Sequence, residues 1–509
     1  YRGILYTFFL GLIGIGTLFN TFNIYIVSQG IISFFSFILL RKVFKSDNNY
    51  TYLFLSLILI FSFQLVSYMK VILPHNLNIL FVILIFYFFF KIRSKTEKNT
   101  KYLFFLILCL VASINIRAEN IVFLLIIFSL LCFGNLIKKD FKGLFINILY
   151  LIYSYLIIYI IKIIMILGSL LIVSGKPDFS PIFSNSGGWF GKTIFIQFYQ
   201  LKNEKSNQIH NIIHKNENYN TNYINYKYGP YSKKLKNYSI NLFSDKKNYL
   251  HLKEILVSSS LVDGNNLNTN WWYKLFESKN YNAEKITESF FKEPNQILFD
   301  ILWRYIDKEI GKKEGDKLFL NTSIESFYQH PEILYGVMNN FIWYFGINFE
   351  KSLVNILKDN ELKFSLRDWT FDHHLRDSFN SGKCAEKLPK KMFNEYKKSH
   401  YKLKLYDESG EIPIIENKFV NIEDQIIYFL DATKETIYIF MSFLFLIIFF
   451  ISPFAMKYNM FSISIVLSLI AYNLIISIST DNMTKYENIS FILMIIFISE
   501  FFKNFKRFK

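Results

Sequence analysis

The hydrophobic pattern is one of long runs without a polar face. Apolar residues fill Thr21–Leu40, Thr51–Tyr68, Leu77–Phe90, Tyr102–Ile114, Asn120–Phe133, Leu149–Val173, Ile437–Ala455, Phe461–Ile478 and Ile489–Phe502. Leu149–Val173 holds a single charge, Lys162, over a stretch long enough to cross a hydrocarbon core of about 30 Å. A soluble helix shows an apolar stripe and a polar face, and too many of these runs lack the second. They predict a membrane all-α protein: a polytopic helical bundle of about nine or ten spans.

Between Gly175 and Thr433 the pattern changes. About 260 residues of mixed character are enough to fold as a unit. Asn282–Ile310 and Asp316–Tyr344 carry apolar residues three and four apart, which predicts helices, and strand alternation is scarce. The chain therefore divides into an N-terminal membrane module (1–174), a large, mainly α hydrophilic domain (175–433) inserted before the last three spans, and C-terminal membrane helices (434–509). Arg2 to Gly16 is apolar but rich in glycine, and reads as helices lying in the interface. The chain opens at Tyr1 without Met, and a first helix with its following loop is expected upstream.

Charge orients these elements. Arg41, Lys42 and Lys45 form one basic group, Lys91, Arg93, Lys95, Lys98 and Lys101 a second, and Lys138, Lys139 and Lys142 a third. Lys457 and the terminal Lys503, Lys506, Arg507 and Lys509 follow. All fall in alternate connections of the bundle. Basic loops face the cytoplasm, so the turns Lys70–Asn76 and Asn115–Glu119, the hydrophilic domain and the loop Ser479–Glu487 are expected outside. Much of the net charge of +17 has its cause in these loops, so it does not call for a nucleic-acid partner. Of three cysteines, Cys109 and Cys132 lie in apolar runs and Cys384 is alone in the hydrophilic domain. An exported domain without a disulfide fits a bacterial inner membrane. The many Phe (57) and Tyr (34) residues accompany frequent Lys, Asn and Ile, the bias of an AT-rich genome.

Candidate chemistry concentrates in the outward turns. Arg117 and Glu119 sit between two apolar helices, where charge is costly unless paired or wet. Two roles are open to them: a fork of donors for a lipid-linked phosphate, or a structural pair tying two helix ends. His75, after Pro74, has the chemistry to accept a proton or bind a metal, though a capping role is commoner. Arg367–Asp377, with Asp372, His373, His374 and Asp377, is dense in metal-ligand types but matches no zinc spacing. Gly187-Gly188-Trp189-Phe190-Gly191-Lys192 lacks phosphate-loop spacing and reads as a flexible link, with Trp189 suited to stacking on a sugar acceptor.

In order along the chain, several segments resemble the GT-C type polyprenyl-phosphate-sugar-dependent glycosyltransferases, of the bacterial dolichyl-phosphate-mannose-protein mannosyltransferase-like kind. Arg2–Gly14 is similar to the stretch after the family's first outer loop, and Thr21–Lys42, with Gln29 and Gly30, to its next helix. Arg117-Ala118-Glu119 resembles the Arg-Pro-Glu turn, with Ala118 for Pro. Gln329-His330-Pro331-Glu332 with Tyr335 resembles a bacterial segment. Thr484–Glu487 resembles the Arg-Tyr opening of the final span, with Lys485 for Arg. The likeness covers the membrane portions, roughly half the chain. It implies transfer of a sugar from a polyprenyl-phosphate donor to a glycan, lipid or protein acceptor on the outer face. Arg117, Glu119, Lys70 and Lys485 would serve at the donor phosphate. The resemblance places the acidic base upstream of Tyr1, and where family members often have an acidic residue this chain reads Pro74-His75-Asn76. No cofactor is specified, and a divalent metal is compatible with the chemistry. Two rival classes remain: an envelope-glycan polymerase or ligase using diphosphate-linked sugars, and a non-enzymatic transporter or assembly protein.

Overall fold

A computed structural model describes residues 5, 9, 22–44, 49–62, 65, 75–94, 100–174, 190–201, 229–245, 282–285, 287, 296–331, 333–348, 365–366, 418–455, 459–479 and 487–505. These residues are nearly all helical. In chain order they form α1 (Phe22–Phe44), α2 (Asn49–Phe61), α3 (His75–Ser94), α4 (Thr100–Ile116), a 3-10 turn (Ala118–Asn120), α5 (Ile121–Ile137), α6 (Phe141–Ser174), α7 (Phe190–Leu201), α8 (Pro230–Ser244), α9 (Gln296–Ile310), α10 (Lys312–Gln329), α11 (Ile333–Trp343), α12 (Lys418–Ala455), α13 (Met460–Ser479) and α14 (Glu487–Phe505). One antiparallel pair joins β1 (Ile347–Asn348) to β2 (Ser365–Leu366), with Ile347 opposite Leu366.

Six of these helices contain stretches long and apolar enough to cross a membrane: His75–Ile92, Ala118–Ile137, Phe141–Ile161, Thr436–Ala455, Met460–Ser479 and Glu487–Phe505. The shorter Tyr50–Phe61 and Lys101–Ile116, with α1, complete the set of apolar runs in the sequence. Helix is the only open-ended answer for such segments, because each backbone amide finds its acceptor within the same segment. The protein is therefore an integral membrane protein.

The core is one apolar cluster shared by α1 to α5 and α12 to α14, with Phe86, Phe123, Tyr438, Phe491 and Phe497 fully or almost fully buried. α14 is buried along Glu487–Phe501 and forms the axis of the bundle. α6 lies at the margin. It packs on α4 and α5 but exposes Phe141, Phe145, Tyr153, Tyr155, Leu156 and Ile160.

Side-chain contacts fix which helix ends lie together. Phe123 stacks on Tyr472 at 5.8 Å, and Gly134 lies against Met460, so α5 and α13 are antiparallel. Asn459 donates to Glu500 at 2.9 Å, Lys503 donates to the Val43 carbonyl and sits 5.1 Å above the Phe90 ring, and Arg41 lies 4.8 Å above Tyr52. One end of the bundle thus gathers Arg41, Lys91, Lys138, Lys139 and Lys503. The opposite end gathers the starts of α3 and α14, the finish of α4 and the last turns of α13.

Three sequence expectations change in detail. The helix expected over Asp316–Tyr344 is broken, because Pro331 has no N–H to continue the ladder and His330 leaves the helical region at φ −131°, ψ 63°. The helix that holds the first of the last three spans starts earlier than its apolar run, at Lys418, and passes through Thr433 unbroken. The Gly-rich link is helical from Phe190. There α7 packs tightly on α10. A Cβ on Gly191 would stand 2.1 Å from the Asp316 carbonyl oxygen, so this glycine serves a close backbone approach. Gly311, at φ +82°, makes the turn between α9 and α10.

Lys192 is 1% exposed and bridges three helices. Its Nζ donates to both Asp307 carboxylate oxygens at 2.7 Å, its N–H to Asp316 Oδ1 at 3.0 Å, and it lies 4.5 Å over the Trp303 ring. Trp303 Nε1 donates to the same Asp307 at 2.7 Å. At the start of α8, Glu325 from α10 accepts from the Tyr231 and Ser232 amides at 3.1 and 2.8 Å, an anion at a helix N-terminus. The hydrophilic helices reach the bundle through α7 and α11, which pack on α13, and through Tyr344, whose carbonyl accepts from Tyr438 Oη at 2.6 Å.

Candidate functional site

The polar end of the bundle is built around a break in the chain. α4 stops at Ile116, and Arg117 adopts an extended conformation, φ −145°, ψ 121°, before the 3-10 turn. Its amide still donates to the Ser113 carbonyl at 2.8 Å, and its own carbonyl accepts from Asn120 at 3.2 Å. The backbone is thus held on both sides of the side chain. The Arg117 Nε lies 2.5 Å from Glu119 Oε1, and Nη1 lies 3.1 Å from His75 Nδ1 on α3.

The protonation of the histidine follows from its partner. Arginine only donates, so His75 Nδ1 accepts, and a neutral ring then carries its proton on Nε2. In this arrangement the imidazole is a donor placed beside a guanidinium. Asn120 ties the same two elements a second time, donating to Asn78 Oδ1 at 2.5 Å and to the Ser113 carbonyl at 3.0 Å. His75 and Asn78 are three apart on α3 and share a face. Arg117 and Glu119 keep 13% and 19% of their side-chain surface exposed, whereas His75 and Asn120 are buried. The ion pair therefore lies at an accessible edge and its support lies inside.

On its other side the first turn of α3 faces α1. Asn76 Nδ2 donates to Ser33 Oγ at 3.4 Å, and Ser33 Oγ donates to the Leu65 carbonyl at 2.6 Å. Between α13 and α14, Ser490 donates to Asn473 Oδ1. Beside this end, Leu5 and Phe9 pack against Ile32, Leu77 and Ile116, placing part of the Gly-rich N-terminal stretch there.

Of the residues singled out from sequence, the structure brings together Arg117, Glu119 and His75. His330 closes α10 and Tyr335 lies in α11. Lys70, Lys485, Trp189, Glu332, Asp372, His373, His374 and Asp377 lie outside the described residues. Among the described residues no three His, Cys, Asp or Glu side chains converge to hold a metal. The Lys192–Asp307 pair was missed by sequence reasoning, because its partners are 115 residues apart. So were the buried amides of α1, α3 and α14. Their signal, uncharged polar residues inside or at the edge of apolar runs, was present but shared with many innocuous serines.

These features define a polytopic helical membrane protein with a polar, partly charged pole opposite a basic one. The chain matches no protein-family model, and neither curated proteins nor solved structures give a match.

Proposed function

We propose that the polar pole is the site of a glycosyl transfer from a polyprenyl-phosphate-linked sugar, and that it faces away from the cytoplasm. The observation that carries this reading is the fixed guanidinium of Arg117, held between Glu119 and His75 at an accessible edge of an apolar bundle. A membrane protein has little structural need for a charged pair locked to a histidine at a helix break, and such intramembrane groups mark functional sites. The resemblance to the GT-C glycosyltransferases at Arg117-Ala118-Glu119 points the same way.

The chemistry is a displacement at the anomeric carbon. The bond from that carbon to the phosphate oxygen breaks, and the acceptor oxygen forms the new one. The electron pair leaves with the lipid phosphate, whose growing charge is met by the Arg117 fork, with His75 holding the guanidinium from the inner side. A carboxylate takes the acceptor proton. Glu119 orients Arg117, and Lys70 and Lys485 are further candidates for the phosphate. The isoprenoid tail would lie in apolar grooves between helices, and the hydrophilic domain, with Trp189, would select a glycan, lipid or protein acceptor. The basic pole would face the cytoplasm of a bacterial inner membrane.

The test is transfer of radiolabelled sugar from undecaprenyl-phosphate-linked hexose by membranes containing the full-length protein. Arg117→Ala is expected to lower transfer by about a hundredfold or more. Arg117→Lys, which keeps the charge but not the fork, is expected to fall between that and the parent. Undiminished transfer by a folded Arg117→Ala variant overturns the assignment.

A further inference from the structure

Among α7 to α11, the described helices of the hydrophilic domain, α11 alone carries no charged side chain. An apolar helix of this length is too short to span a bilayer and suits a buried or interfacial position. It turns Ile333, Val337, Asn340 and Trp343 inward, at helical spacing, and packs on α7 and on the membrane span α13. The chain then enters the bundle. The Tyr344 carbonyl accepts from Tyr438 Oη at 2.6 Å, Gly346 lies against Ile439, and the Phe345 ring stacks on Phe445 at 6.0 Å. Counted from Thr436, where the apolar stretch of α12 begins, Tyr438, Ile439 and Phe445 lie about 3, 5 and 13 Å along it at about 1.5 Å per residue. The end of α11 is therefore seated at membrane depth, at the polar pole. Its non-helical backbone is satisfied there, because the Phe345 and Gly346 amides donate to the Ile342 and Trp343 carbonyls.

The opposite side of α11 is open, and what it shows is apolar. Leu334 and Met338, one turn apart, are both exposed. α10 leads toward them with a matching gradient. Lys317, Asn321, Ile324 and Tyr328 recur at spacings of four, three and four and so share one face; Lys317, Ile324 and Tyr328 are exposed and Asn321 is half-buried. Charge thus gives way to isoleucine and tyrosine as the chain nears α11, the order met on passing from water into a membrane interface. The span on which α11 packs exposes Ile463, Leu467, Ile470 and Leu474, residues that face lipid in a membrane. The open side of α11 continues the surface of that same bundle.

We propose that α11 is a membrane-docking element, with Leu334 and Met338 against lipid acyl chains and Tyr328 at the level of the headgroups. The partner is the bilayer itself. A helix whose inner side and C-terminal end are fixed to membrane spans, and whose outer side is apolar, meets lipid at that depth rather than water. The hydrophilic helices are then held down on the membrane beside the polar pole by more than their chain connections. This inference stands whether or not the pole transfers sugar.

The experiment places single cysteines by Lys317→Cys, Tyr328→Cys, Leu334→Cys and Met338→Cys in the full chain lacking Cys109, Cys132 and Cys384. All four positions are exposed, so the substitutions leave the packed side of each helix intact. Each is labelled with the polarity-sensitive fluorophore NBD and reconstituted in nanodiscs, with and without phospholipid spin-labelled on its acyl chain. The labels at 334 and 338 are expected to emit to the blue of the label at 317 and to lose about half or more of their emission to the spin-labelled lipid, with 328 between and 317 nearly unchanged. Emission at 334 and 338 that matches 317 in colour and resists quenching puts this face in water and overturns the proposal. Blue-shifted emission that the spin-labelled lipid leaves unchanged shows that protein covers the face, and overturns it equally.

Discussion

At the scale of single residues, the two charged groups that matter most are buried differently and have different consequences. Arg117 keeps an accessible edge, and its partners orient it without enclosing it. Lys192 is enclosed, and burial pushes its ammonium below the ordinary lysine range, while the Asp307 hydrogen bond and charge, then Asp316, push the opposite way and Lys312 adds to the lowering. Removing Asp307 leaves a buried cation whose main support is gone. Asp307→Asn is therefore expected to destabilise the hydrophilic helices by about 3 kcal/mol near neutral pH. The sign of its pH dependence is fixed. With the folded pKa of Lys192 below its unfolded value, the unfolded chain binds more protons between the two, so stability rises with pH across that window. The Tm deficit of Asp307→Asn relative to the parent should shrink as pH is raised from 7 toward 10. A deficit that is constant or grows contradicts the account. Arg117 and Glu119 were legible in the sequence because they are two residues apart. His75 was legible only as a candidate, because its bond to Arg117 spans 42 residues and exists only once α3 packs beside α4.

At the scale of elements, the apolar runs were the strongest sequence signal, because a membrane segment satisfies its own backbone and needs no distant partner to declare itself. Breaks that depend on one residue were harder to see. Pro331 divides α10 from α11 within a stretch whose apolar periodicity continues across it. The glycine motif at 187–192 was misleading for a related reason. Glycine marks both pliable chain and tight packing, and sequence alone does not separate them. The structure gives Gly191 the second role. Gly191→Ala is expected to force α7 off α10 and cost about 2 kcal/mol or more, since the opposing atoms, the Asp316 carbonyl oxygen and the Leu320 amide nitrogen and Cβ, are fixed by the backbone and have no rotamer to yield. Thermal unfolding of the full chain checks this, with Gly134→Ala as the milder companion because only the flexible end of Met460 opposes it.

At the scale of the whole molecule, the two poles are the main result. Local charge runs predicted the basic pole, and the contacts of Lys503, Arg41 and Asn459 assemble it. The polar pole was less legible, because His75 and Asn78 meet Arg117 and Asn120 across 42 residues and only where α3 packs beside α4. Which pole faces out is testable by cysteine labelling in a chain lacking Cys109, Cys132 and Cys384. A membrane-impermeant maleimide is expected to reach Lys233→Cys in intact cells and Lys139→Cys only after lysis. The reverse pattern removes the proposed site from the outer face.

The unbroken α12 has a mechanical corollary. Its 38 residues extend about 57 Å, nearly twice the hydrocarbon thickness of about 30 Å. A stiff rod of that length, gripped by α14 at Tyr438 and Phe445, is a lever. Any load that tilts its free arm must swing the gripped arm by the same angle, so events far from the lipid are felt at the axis of the bundle without any intervening joint.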